Sequence, residues 1–287
     1  MNNYVIFTDS SCDLSTDILK KWKVESLSLT FRFNDSDKEY KNEEMEINEF
    51  YSKMKSSLVA KTAAVNKETF LESFEEHLKQ DEDILYLGFS SGLSTTFNSA
   101  RLAKEELLQK YPKRKIYTVD TLCASAGIAL LIRTVLDAKE NGATIDEARD
   151  LAEEKKLSIC HWFTVDDLVY LKRGGRVSPT VALVGNMLGI KPILHVDNDG
   201  HLINVSKVRG RRASIEALAE KYGDLVKEQG SRAYISQANC IKDAELLASI
   251  LKNKYGAETE IITDVGTVIG AHSGPGTLAL FFEGKER

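Results

Sequence analysis

The residues best placed to do chemistry in this chain lie where an apolar, strand-like run ends and a helix-like run begins, in DILYLGFSSGLSTTFNSA, residues 83–100. Ser90, Ser91, Ser94 and Thr95 cluster there around Gly92. A strand that stops at hydroxyls and passes into a helix presents side-chain O–H groups together with free helix N-terminal N–H groups, and both favour an anion. Neither GxxxxGK[ST] nor GxGxxG occurs, so a nucleotide is not the expected ligand.

The same stretch spells G-x-S-x-G at residues 88–92, the pattern that carries the nucleophile of α/β-hydrolases on a strand-to-helix turn. Asp264 and His272 follow Ser90 in the chain order of that fold. Against a serine hydrolase or esterase, no HG-rich oxyanion loop precedes Ser90. Only three strand-like segments, residues 4–8, 25–33 and 84–89, come before it. A small-molecule-binding regulator unrelated to lipid is a further alternative.

The elements that must position these groups alternate. Residues 4–8 read as a strand closed by DSSCDLS, where Asp13 or Ser15 caps a helix over 16–22. A strand over 25–33 follows, then helices near 47–57 and 68–79, a strand over 84–89, a helix over 95–110, a strand over 115–119 and a helix over 125–140 ending at Asn141-Gly142. Strands alternating with helices predict a parallel sheet covered on both faces, a three-layer α/β arrangement with its site at the strand C-termini. From residue 158 the pattern changes. Strands are expected at 158–165, 191–196, 202–208, 232–236, 260–263 and 277–282, with helices at 165–171, 181–188, 214–229 and 241–255. Asp197-Asn198-Asp199-Gly200 reads as a hairpin turn, so this half has antiparallel pairing and a mixed sheet. The expected domains are 1–157 and 158–287, with a ligand site between them; 287 residues at 43% hydrophobic content suit two cores.

Composition excludes several classes. With 38 basic against 43 acidic side chains the net charge is −5, which argues against nucleic-acid binding. No apolar run reaches a membrane span, so no stable membrane insertion is expected, and the start MNNYVIFTDSSCD lacks a basic segment before a greasy one; a cytoplasmic location follows. Cys12, Cys123, Cys160 and Cys240 are far apart, without metal-ligand spacing, and read as reduced packing residues; Cys12 stands out only for following the Asp9-Ser10-Ser11 turn. Neither a metal nor a bound nucleotide is expected.

Several motifs occur in order: TDSSCDLS at 8–15, Lys61-Thr62, SSGLSTTFNSA at 90–100, VDT at 119–121, LVYLKRGGRVS at 168–178, HLINVSKVRGRR at 201–212 and GAHSGPG at 270–276. Together they resemble the DegV family, bacterial proteins that bind a long-chain fatty acid between two α/β domains and, in some members, present it to a fatty acid kinase. The resemblance runs the whole length. One segment departs from it: the family writes T-S-x-P-S where this chain has Thr62-Ala63-Ala64-Val65-Asn66, which keeps the threonine and loses the serine and the proline.

The resemblance implies a non-enzymatic carrier whose bound long-chain fatty acid takes the place of a cofactor, and whose partner is a fatty acid kinase making acyl phosphate. Thr62 and Ser91 would hold the carboxylate, with His272 donating to it or to its water network. Ser90 and Ser94 are either neighbours in that site or helix caps. Arg176 pairs with a phosphate or an interface carboxylate, or is a solvated turn arginine. Lys207, Arg209, Arg211 and Arg212 are a solvated basic face or, through Arg209 and Arg211, a docking surface for the kinase. Residues 181–188 are apolar around most of a helix and belong to the core or to the wall of a tunnel.

Overall fold

A computed structural model describes residues 3–177 and 189–287; the helix expected at 181–188 and Ser178 of GGRVS lie outside the described residues. The chain is an α/β protein with one parallel and one mixed sheet. Strand β1 (Tyr4–Asp9) leads through a short 3-10 turn to α1 (Thr16–Trp22), whose first turn is capped by Ser15 accepting from the Ile18 N–H. Beside β1 lie β2 (Val24–Leu27) on one flank and β6 (Asp83–Gly88) then β7 (Ile116–Asp120) on the other, all parallel. Helices α3 (Lys67–Leu78) and α4 (Thr96–Lys110) cover one face of this sheet.

A small antiparallel sheet of β4 (Tyr40–Lys41), β3 (Thr30–Phe33) and β5 (Ala60–Ala63) packs on α2 (Ile47–Lys55) through the aromatic group Phe31, Phe33, Phe50 and Tyr51. The six-stranded sheet runs β10 (Leu202–Arg209), β9 (Ile190–Val196), β8 (Ile159–Thr164), β13 (Leu278–Glu283), β11 (Ala233–Gln237) and β12 (Thr259–Asp264). Each neighbouring pair is antiparallel except β11 with β12. Its outer face is covered by α8 (Arg211–Leu225) and α9 (Ile241–Tyr255).

Between the two large sheets lies α5 (Ala126–Glu140), with every residue from Ala126 to Ile132 buried. One core cluster accordingly joins Ile6, Leu85 and Val119 of the parallel sheet to Phe163, Tyr234 and Phe281 of the mixed sheet through this helix. A polar seam runs beside it. The Ser125 hydroxyl lies 2.5 Å from Asp13 Oδ2 and 2.8 Å from Ser236 Oγ, while Gly266 N donates to Asp13 Oδ1 at 2.9 Å. These bonds tie the start of the chain to β11 and to the segment after β12.

The structure departs from the sequence expectations in three places. The strand expected over 25–33 is two strands in different sheets. At the break, Leu29 N donates to Ser10 Oγ and Asn42 N donates to Ser28 Oγ, which turns the chain out of the parallel sheet. The helix α6 (Ile145–Lys155) was not anticipated although its N-terminus carries a full capping box, Thr144 with Glu147. The helices expected at 165–171 and 214–229 are shifted, to α7 (Val169–Arg173) and to α8. The start of α7 moves because Asp167 Oδ1 takes the Val169 N–H.

Burial pushes the Asp13 carboxyl up to about 7, with Asp264 and Asp9 adding repulsion against the bonds from Ser125 and Gly266. The unfolded value is about 3.9, so between roughly pH 4 and pH 7 the folded chain holds a proton that the unfolded chain lacks. This contribution to stability is full below that window and is lost as pH rises through it. A protonated Asp13 donates to Ser125, whose own proton then reaches Ser236. Asp13→Asn preserves that chain of donors without a titration. Its melting temperature is expected to vary less than the parent's from about pH 5 to pH 8. An equal slope in both proteins would remove Asp13 from the account.

Candidate functional site

A cavity of about 550 Å³ lies against the inner face of the six-stranded sheet. Alternation along the strands builds this wall: Ala279 faces Phe163 and Phe281 faces His161 across the β13–β8 pair, and all four line the cavity. Val196 and Leu202 extend it across the β9–β10 hairpin. The opposite side is made by Leu29 and by Val268 and Ile269 of α10 (Thr267–Ser273).

At one end the lining becomes polar. Thr62 sits on β5, held opposite Phe31, and its Oγ1 lies 2.8 Å from Nε2 of His272 in the last turn of α10. The other ring nitrogen, Nδ1, is buried without a partner among the described residues. A buried N–H left without an acceptor is the costlier arrangement, which assigns the lone pair to Nδ1 and the proton to Nε2. Nε2–H therefore donates to Thr62 Oγ1, and the Thr62 hydroxyl keeps its own proton for whatever occupies the cavity. Burial, reinforced by the Arg176 charge, pushes the His272 pKa down to about 4, so the imidazole is neutral at physiological pH.

Arg176 lines the same end, half-buried. Its Nε donates to the Leu93 carbonyl at 3.1 Å and an NH group donates to the Gly174 carbonyl. It has no carboxylate partner among the described residues. Burial lowers its pKa, yet a guanidinium remains protonated in proteins. Ser91 is exposed at the rim with its N–H on Asp120 Oδ1 at 3.1 Å, and its hydroxyl has no partner among the described residues. Thr62, His272 and Arg176, far apart in sequence, thus share one end of one cavity, and Ser91 lines the same cavity at its rim, next to Gly92, which abuts the 197–201 hairpin.

The remaining candidates fall differently. Ser94 lines the cavity, but its Oγ also accepts the Thr96 N–H at 3.2 Å, at the start of α4. Ser90 is fully buried and outside the lining. Its hydroxyl donates to the Gly200 carbonyl at 2.8 Å and accepts from Gly92 N at 3.2 Å, so it pins the 197–201 hairpin rather than meeting a ligand. The hydrolase arrangement is absent for the same reason: His272 is bonded to Thr62, and Asp264 accepts from the Gln237 amide. Arg211 is likewise no free docking residue. Its Nε donates to Asp243 Oδ2 at 2.8 Å, and its guanidinium also reaches Asp166 and Cys240. Arg209 is exposed. All four cysteines are free thiols, and Cys12 is buried with its pKa pushed up by burial.

The altered loop after Thr62 runs from β5 into α3. Asn66 caps α3, its Oδ1 accepting from Thr69 N at 2.8 Å, a task serine also performs; Val65 packs in the core and Ala63 lines the cavity. The apolar wall residues escaped the sequence reading because strand alternation marks a buried face without saying whether a side chain or a cavity meets it. His161 was missed for a different reason: nothing in its local sequence distinguishes it from a core histidine.

The family model described as "Uncharacterised protein, DegV family" matches residues 3–285. A DegV domain-containing protein of Clostridium perfringens is 41% identical over 100% of this chain and 99% of its own. A DegV lipid binding protein from Thermotoga maritima has a solved structure that superposes with a TM-score of 0.87 at 34% identity, covering 99% of each chain. A second Thermotoga maritima protein, whose structure reveals fatty acid binding function, gives 0.86 at 32% identity over 99% of this chain and 100% of that one. The chain belongs to the DegV family.

Gly174 lies in right-handed helical geometry, φ −71° and ψ −12°, so alanine fits its backbone. A Cβ there would nevertheless meet His272 Nδ1 at 2.1 Å. Gly174→Ala is expected to displace the imidazole from Thr62 and from its dry pocket. NMR titration should then move the His272 pKa from about 4 toward its ordinary value; an unmoved value would show that the ring is not held as described.

Proposed function

We propose that this DegV-family chain is a carrier that encloses a long-chain fatty acid, holds its carboxylate with Thr62, Ser91 and Arg176, and presents that end to a fatty acid kinase while performing no covalent chemistry itself. The observation that carries the reading is a largely apolar cavity of about 550 Å³ whose polar end holds a guanidinium without an acidic partner among the described residues. Apolar walls suit a tail, and an uncompensated cation suits one negative charge. The lipid and fatty acid bound by the two Thermotoga proteins support the same ligand class.

Magnitudes divide the work. Each buried methylene contributes about 0.8 kcal/mol, so a sixteen-carbon tail offers on the order of 12 kcal/mol before association costs. A hydrogen bond to a charged group contributes about 1.5–3 kcal/mol. The tail supplies affinity, and the donors supply orientation. His272 acts through Thr62: by filling one lone pair of the Thr62 oxygen it leaves the hydroxyl proton directed at the carboxylate. A neutral imidazole does this without a second buried charge.

Ser91 at the rim leaves the carboxyl end reachable from outside, which presentation to a kinase requires. Arg209, exposed on edge strand β10, is the charge proposed to meet that partner, with Arg211 fixed behind it by Asp243. Nothing in the geometry favours the hydrolase reading.

Protein purified natively from a bacterial host is expected to carry a free, solvent-extractable acid of roughly fourteen to eighteen carbons, since the methylene contribution must exceed the ordering cost. Mass spectrometry of the native and denatured protein reads this directly. A lipid-free preparation that also refuses added fatty acid would defeat the carrier reading. Thr62→Ala and Ser91→Ala should each weaken binding by roughly 10- to 100-fold without unfolding the chain; unchanged affinity in the double variant would remove both from the carboxylate site. Arg209→Ala should leave lipid affinity intact and slow acyl phosphate formation by a partner kinase, with the parent's rate the more salt-sensitive. A collapse of lipid binding would instead make Arg209 structural.

A further inference from the structure

We infer that His161, backed by Phe281, is a rigid floor to the cavity that sets an upper limit on the length of the acyl chain, an inference that rests on the fatty-acid reading above. The strand register gives the cavity a direction. Thr277, immediately before β13, donates from Oγ1 to the Ser273 carbonyl at 3.1 Å and so lies beside the His272 end. From Thr277 the inward positions run through Ala279 to Phe281, and all three line the cavity. Four residues of strand carry the wall about 14 Å from the polar end. There Phe281 stands opposite His161. Beyond that pair along β8, Ile159, the next residue on this face, is packed in the core and does not reach the cavity, while sideways the same row of the sheet continues the lining through Val196, level with His161, to Leu202.

His161 cannot swing aside for a longer tail. It is 1% exposed, and both ring nitrogens are bonded to backbone: Nδ1 to the Ile159 carbonyl at 2.9 Å and Nε2 to the Ala124 N–H at 3.2 Å. Those partners define one tautomer, Nδ1–H donating and Nε2 accepting, and burial pushes its pKa well down, so the ring is neutral. The start of α5 closes directly behind it, because a Cβ on Gly127 would lie 2.1 Å from Nε2. Phe281 meets the imidazole edge-on, centroids 5.2 Å apart at 88°. An aliphatic side chain at the floor would change rotamer to admit another carbon. A ring held at both nitrogens, with backbone behind it, gives way only by breaking hydrogen bonds.

The test is a series of saturated acids from twelve to twenty-two carbons, as roughly spaced by two, bound to the parent protein and to Phe281→Ala and His161→Ala. In the parent, affinity is expected to rise about fourfold per added methylene and then to stop at one length, with the next acid at least tenfold weaker than that trend. Phe281→Ala, which keeps every hydrogen bond of His161, should move the break by about two carbons or more; His161→Ala should do the same if its near-UV circular dichroism shows a folded chain. Thr62→Ala should lower all lengths by one common factor and leave the break in place. A break unmoved in folded Phe281→Ala, or no break in the parent, overturns the assignment. Failure of the parent to bind any acid defeats the fatty-acid reading and this inference with it.

Discussion

Helix α5 is the constraint from which the rest of the architecture follows. Seven consecutive residues, Ala126 to Ile132, are buried, so the helix must be covered all round. A single sheet covers one face of a helix; here the parallel sheet lies on one side and the mixed sheet on the other. The arrangement fixes where a cavity can form. Along the helix the two sheets are filled apart by its side chains. At its N-terminus, Ala124 and Ser125 line the cavity instead, with the inner faces of β8 and β13 continuing past them. The site is the place where the spacer between two layers stops.

The polar end of that space is built to hold charge sparingly. Arg176 is the cation, and its guanidinium is anchored to the Leu93 and Gly174 carbonyls rather than neutralised by an acid. His272 is held neutral by its burial and by the same arginine. Were the imidazole also charged, two neighbouring cations would repel, and the empty site would be destabilised. A single positive charge at this end avoids that penalty. The floor follows the same economy: His161 is a polar residue in an apolar wall whose nitrogens are both satisfied by backbone, so it presents only carbon and a neutral ring to the space above it.

Much of the architecture was legible where local chemistry and burial agree. The helix over 16–22, capped by Ser15 of the two candidates Asp13 and Ser15, the helix 241–255 and the hairpin at 197–200 all emerge as expected, because caps, periodicity and turn residues act within a few positions. The failures are positions where distant packing overrides propensity. The segment GTVIGAHSG is glycine-rich and poor in helix formers, yet 267–273 is helical. Its glycines are required by contacts no local reading reveals: a Cβ on Gly270 would meet the Tyr51 hydroxyl at 2.4 Å, and one on Gly274 would meet the Tyr170 ring at 2.3 Å. Close approach of α2 and α7 to α10 explains why a weak helix former belongs there. Thr62, Ser91, Arg176 and His272 were accessible as motif residues, whereas the walls were not, since a cavity is a property of several elements at once.

The G-x-S-x-G stretch illustrates how one local geometry serves a different end. In a hydrolase the turn exposes its serine to a base. Here the same turn leads into α4, but the Ser90 hydroxyl meets the Gly200 carbonyl, and a Cβ on Gly200 would lie 2.1 Å from it. Gly92 repeats the fit from the other side, since a Cβ there would press on the Asp199 and Gly200 carbonyls at 2.9 Å. Ser90 and Gly92 of the motif are therefore accounted for by the docking of the β9–β10 hairpin onto the end of β6, whereas Gly88 makes room for the Tyr86 ring. That docking carries Leu202 and Val196 into the cavity wall and leaves Ser91, one residue on, at the rim. Ser90 and Ser91 divide the work: the first, buried, pins the hairpin, and the second, exposed, lines the cavity at its rim.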